Sequence, residues 1–113
     1  MESLEARVNR LEYYQKLLLQ LLDKEKVNFY KLIVESNLQE NEVNDLLNLC
    51  ELMSIEYKKQ KAEGLVIFSP LLTQFAGLLN PKLNIKNTIE ALLKQGLFVP
   101  VMTEFYDLLK END

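Results

Sequence analysis

The chain has 113 residues, 48% of them hydrophobic and 27% charged, with a formal net charge of −4. That balance belongs to a folded globule and not to a disordered tail, and the acidic total works against a nucleic-acid backbone as partner. One cysteine and no histidine rule out an intrachain disulfide, a Cys/His zinc site and histidine-based acid–base or triad chemistry.

A chain of this length is able to bury roughly two thirds of its unfolded surface, so a core needs neither metal nor disulfide. One all-helical domain over residues 1–113 is expected. The start, Met1-Glu2-Ser3-Leu4-Glu5, is acidic where a secretory leader is basic. The leucines between Leu17 and Leu22 are too few to cross a bilayer. A cytoplasmic protein is the expectation.

The first helix is expected from about Ser3 to Asp23. Leu4, Val8, Leu11, Gln15, Leu18 and Leu22 fall on alternating four- and three-residue steps, the spacing of a coiled-coil seam. Leu17, Leu19 and Leu21 add apolar surface beside it, so the helix has to be covered on more than one side. Two readings compete: a core helix within its own domain, or one that faces that domain and a sister chain together. The surplus leucines favour the second, which makes residues 1–23 a candidate oligomerisation helix and the six seam residues its interface. Closed dimers or trimers are the usual outcome. Tyr13 and Tyr14 flank the seam and suit core, interface or an exposed patch, with core preferred because Tyr rings bury well with the hydroxyl at the rim.

Asp23-Lys24-Glu25-Lys26 reads as a break. A short second helix is expected over Val27 to Ser36, burying Phe29 or Tyr30 with Ile33 and Val34. Asn37 suits its stop, because Asn tolerates the left-handed region. Leu38 to Glu42 starts a third helix, with Glu42 placed to reach back as in a capping box. It runs to about Ala62 on a stripe of Val43, Leu46, Cys50, Met53 and Tyr57, widened by Leu47, Leu49 and Leu52. Cys50 is expected as a buried, inert thiol. Gly64 is the stop. Leu65-Val66-Ile67-Phe68 has strand composition without a partner, and an extended connector pressed on the core is expected. Ser69-Pro70 opens a fourth helix, with Ser as cap and Pro in the first turn, burying Leu72, Phe75, Ala76 and Leu79. Asn80-Pro81 breaks the chain. A fifth helix spans about Asn84 to Gln95 on Ile85, Ile89, Leu92 and Leu93, and Gly96 stops it. Pro100 fits the first turn of a sixth, whose stripe is Val101, Met102, Phe105, Leu108 and Leu109. Six helices with short connections give an all-α, multihelical fold class.

No residues group into recognisable chemistry. Gly64, Gly77 and Gly96 stand too far apart for a phosphate-cradling loop. Glu104 with Asp107, and Glu40 with Glu42 and Asp45, read as solvated or capping acids. No cofactor and no metal is expected. Residues 27–55 have a helix-turn-helix outline, but Glu40, Glu42 and Asp45 would head its recognition helix with the wrong sign for phosphate. The one basic cluster, Lys58, Lys59 and Lys61, ends a helix, where cations suit the dipole.

Arg10-Leu11-Glu12-Tyr13-Tyr14, Gln60-Lys61-Ala62-Glu63-Gly64, Phe75-Ala76-Gly77 with Leu79-Asn80 and Lys82-Leu83, Thr88-Ile89 and Gln95-Gly96-Leu97 together resemble the YhaI-like proteins of bacilli, over nearly the whole chain and in the same order. The resemblance implies a small cytosolic all-helical protein with no established activity, and it carries over no functional residue. The expected function is a non-catalytic homo-oligomeric interaction or regulatory module. A small-molecule-binding regulator or enzyme with a pocket between helices is the alternative, and a nucleic-acid regulator is less favoured.

Overall fold

Three left-handed residues divide much of the chain, each held by the same pair of hydrogen bonds. The computed structural model describes residues 1–21 and 28–111. The helices are α1 (Leu4–Leu21), α2 (Asn28–Glu35), α3 (Glu40–Ala62), α4 (Ser69–Leu78), α5 (Ile85–Lys94) and α6 (Val99–Glu111). There is no strand among the described residues, so the fold class is all-α. Asn37 (φ 58°), Gly64 (φ 92°) and Gly96 (φ 75°) sit just past α2, α3 and α5. Behind them Leu38, Leu65 and Leu97 donate to the carbonyls of Ile33, Gln60 and Leu92 at 3.1, 3.0 and 2.9 Å. These six-to-one bonds satisfy carbonyls that a helix end would otherwise strand.

Helix starts are fixed as locally. The Ser3 hydroxyl accepts from the Ala6 amide at 3.1 Å at the head of α1. Glu42 reaches back to the Gln39 amide at 3.0 Å at the head of α3, as its place three residues on predicts. Asn84 accepts from the Asn87 amide at 3.0 Å to start α5. The fourth start differs from expectation. Phe68 holds the cap position of α4, with Ser69 and Pro70 inside the helix and no side-chain cap bond. The Ser69 carbonyl instead receives the Thr73 hydroxyl at 3.0 Å.

The core is shared by α2 to α6 and the connectors beside α4. α6 packs against α3, α4 and α5, while α2 lies on α5. Phe75 and Phe105 are fully buried and stack at 5.4 Å between ring centres. Tyr57 meets Phe68 at 4.8 Å. Cys50, Met53, Ile89, Leu92, Val101 and Met102 close the space around them. Phe29, and not Tyr30, is the buried aromatic of α2.

Three placements depart from the apolar pattern. Ala76 is exposed, because Leu71 takes the inward place beside Leu72 and Phe75. In the 65–68 connector only Phe68 is buried; Leu65, Val66 and Ile67 point outward, at 48%, 83% and 70% exposure. Leu52 is exposed as well, on the outer side of the α3 stripe. No described helix is long and apolar enough to cross a membrane. The molecule extends 64 × 25 × 22 Å, and α1, about 27 Å long at 1.5 Å per residue, contributes no residue to the core.

Candidate interaction surface

The seam of α1 is a row of apolar side chains facing solvent. Leu4, Val8, Leu11 and Leu18 are exposed at 73%, 41%, 60% and 60%, and Gln15 between them is exposed too. Leu22, the break from Asp23 to Lys26, and Val27 at the expected start of the second helix lie outside the described residues. Leu17 and Leu21 are exposed beside the seam, and Leu19 alone is partly covered. Tyr13 and Tyr14 touch each other at 6.2 Å and are both exposed. Core placement of these two rings is therefore overturned, and so is a helix face packed into its own domain. A shallow cleft lies where Glu12, Gln15 and Lys16 of α1 pass Asn37.

Charge on α1 is arranged around that stripe. Arg10 pairs with Glu2, away from the seam. Among the described residues, Arg7 and Glu12 enter no ion pair within the chain.

A second apolar surface is the groove between α3 and α4. A cavity of about 430 Å³ is floored by Leu46, Leu49, Leu78 and Leu79 and rimmed by Glu42 and Asp45. It adjoins a neighbour of about 370 Å³ with Leu52, Glu56, Gln74 and Leu78 on its walls. Gly77 helps form it: nothing stands within 4 Å of where its side chain would begin. Leu49 and Leu52 lie on the third helix as expected, whereas the wall supplied by Leu78 has no short-range signal, because it depends on how α4 lies against α3.

At one end of this groove Glu42 collects three donors. Its Oε1 accepts from the Gln39 amide and from Lys82 Nζ at 2.9 Å, and its Oε2 accepts from Asn80 Nδ2 at 2.8 Å. Lys82 Nζ also reaches the Asn37 carbonyl at 3.4 Å. Bonding to Lys82 first, then to the Gln39 amide and Asn80, holds the Glu42 carboxyl at about 2. All donors favour the charged form. The cluster ties the start of α3 to the α4–α5 connector, and its geometry is that of a brace. Lys82 and Asn80 lie about 40 residues from Glu42 in sequence, so only the capping half of this arrangement was visible in the chain order.

Cys50 is fully buried, and burial pushes its thiol up to about 12. Such a thiol is inert near neutral pH. Among the described residues no three acidic or cysteine side chains gather as a metal site would require. Lys58 and Lys59 are exposed at the end of α3, and Lys61 lies over the Tyr57 ring at 5.6 Å, which ties part of the basic cluster to the helix end itself.

A family profile described as "Protein of unknown function (DUF1878)" matches residues 1–110. The chain belongs to the DUF1878 family. The match includes all of α1 and reaches into the last turn of α6, so the seam and the core that carries it both fall within the family's span.

Proposed function

We propose that this DUF1878 chain is a non-catalytic cytosolic module that works by self-association, with α1 as the assembly helix and the remaining helical faces offered to another protein. One observation carries it: an 18-residue helix whose leucines recur at coiled-coil spacing leaves them in water. Exposed apolar surface in a continuous stripe marks an interaction site far more often than scattered apolar residues do. Covering what remains exposed of each seam side chain is worth about 1–2 kcal/mol. Two copies together gain on the order of 10 kcal/mol, set against at least about 4 kcal/mol for association. That difference, about 6 kcal/mol at most, corresponds to a dissociation constant of tens of micromolar.

Light scattering over a concentration series to roughly 1 mM, with the upper limit set by that affinity, tests the proposal. A dimer or trimer building with concentration supports it. A chain that stays monomeric throughout removes it.

The groove between α3 and α4 supports a second reading, a regulator or enzyme that holds a small apolar ligand with a polar end. Its volume, about 430 Å³, falls within the range of small-molecule sites, and its floor is leucine with carboxylates at the rim. A thermal-shift screen of metabolites distinguishes this reading, since a ligand of the native state raises Tm by mass action. A hit abolished by Leu78→Asp would move the function to the groove.

A further inference from the structure

We infer, resting on the self-association just proposed, that α1 pairs with α1 of a second copy in the same direction and in register, so that Arg7 of each copy meets Glu12 of the other and the two Gln15 side chains share a layer. The seam assigns the positions. Leu4, Leu11 and Leu18 repeat every seven residues at one core position, and Val8 and Gln15 repeat at the other. Leucine at the first with a β-branched residue at the second, a condition Val8 alone meets here, favours two parallel strands.

The flanks then choose the direction. One flanking row is Arg7, Tyr14 and Leu21, and the other is Glu5, Glu12 and Leu19. In a parallel pair, each residue of the first row faces the residue five further on in the second row of the other copy. Arg7 thus meets Glu12, and Tyr14 meets Leu19. One match is of opposite charges and the other is apolar. In an antiparallel pair each row faces itself. Across residues 4–21 the acids then meet only acids or Leu19, and Arg7 meets only Arg7, Tyr14 or Leu21. No register of that kind joins Arg7 to Glu12.

Within one chain the two charges have no use for each other. Residues five apart do not face one another on a helix, whereas those three or four apart do. Neither Arg7 nor Glu12 has an ion-pair partner among the described residues, while Arg10 on the outer side is taken by Glu2. Gln15 points the same way. In the parallel register its amide meets an identical amide, which both donates and accepts. The antiparallel register that covers the same seam sets it against Leu11, where its polar atoms lose water without a partner.

The test uses the full chain. In the parallel pair, Gln15→Cys brings two thiols into one layer, within the reach of a disulfide, and mild oxidation gives a covalent dimer on a non-reducing gel. The native Cys50 is buried and gives no background. In the antiparallel register the same positions stand about 6 Å apart along the axis alone, and the band is absent. Arg7→Glu and Glu12→Arg are each expected to weaken the dimer about tenfold, as two exposed pairs turn repulsive. Combining both in one chain is expected to restore it. A wild-type dimer that gives no covalent band, or a double variant that fails to recover, overturns the parallel pairing while leaving self-association in place. A wild-type trimer does the same. A monomeric wild type at roughly 1 mM, well above the expected dissociation constant, overturns both.

Discussion

Replacing Leu11 and Leu18 together by Asp distinguishes a helix packed within its own chain from one packed against a copy. Both leucines are 60% exposed in the single chain. Covering what is left of each is worth about 1–2 kcal/mol, and a dimer contains four such sites, so the change removes at least about 4 kcal/mol of association energy. Carboxylates facing each other across an apolar seam add to the loss. At 1.4 kcal/mol per decade, the dissociation constant rises about a thousandfold or more. The core of α2 to α6 should hardly notice, because exposed substitutions change stability by no more than about 0.5 kcal/mol. Were these leucines core residues, each truncation would cost about 2–5 kcal/mol instead. Sedimentation velocity reads the first quantity. Urea unfolding of the variant and the wild type, both diluted until monomeric, reads the second. A variant that remains associated, or one whose urea midpoint collapses, refutes the reasoning.

Phe105→Ala should cost about 3–5 kcal/mol in urea unfolding, since the ring is fully buried against Phe75 and leaves a cavity; Leu52→Ala on the outer side of α3 should stay within about 0.5 kcal/mol. Gly96→Ala forces a side chain into φ 75° and should cost about 1–2 kcal/mol, read as a lower urea midpoint at unchanged slope. The Glu42 carboxyl is held near 2 against an ordinary 4.5, so the folded state binds its proton more weakly than the unfolded chain. Its contribution is complete above pH 4.5 and is lost as pH falls toward 2. Thermal melts at pH 5, 3.5 and 2 should therefore decline less steeply for Glu42→Gln than for the wild type.

Local signals were the most legible part of the sequence. Asn37, Gly64 and Gly96 take the left-handed conformation for which their residue types are suited, and Glu42 makes the reach-back bond its spacing announces. Each depends only on residues a few positions apart. Phe98, also left-handed at φ 52°, gave no sign, because an aromatic pays for that conformation and has no intrinsic reason to choose it. Ser69 shows the opposite failure. Its residue type suits a cap, yet Phe68 takes the cap position because its ring is drawn onto Tyr57 in the core. The apolar 65–68 segment misled in a third way: composition cannot tell that one side chain anchors it and three face water. Lys82 and Asn80 around Glu42, and Leu78 along the groove, depend on how distant segments meet, which no short-range pattern encodes.

The helix α1 poses a problem that the core does not solve. An isolated 18-residue helix that is not alanine-rich gains little from propensity alone, and most helical stability in proteins comes from burying an apolar face. α1 buries nothing. Its own side chains offer a Ser3 cap and an exposed Arg10–Glu2 pair, which together contribute on the order of 1 kcal/mol. A second copy laid along the seam would supply the missing burial, so helix formation in α1 and association become one event. Amide hydrogen exchange then has a definite signature: protection of α1 rises with protein concentration, while protection of the buried turns of α3, α5 and α6 does not. If α1 amides are as protected at the lowest concentration as at the highest, the helix draws its stability from its own chain. Periodic leucines report that a face is to be covered, and only a measurement that varies the number of neighbours reports by whom.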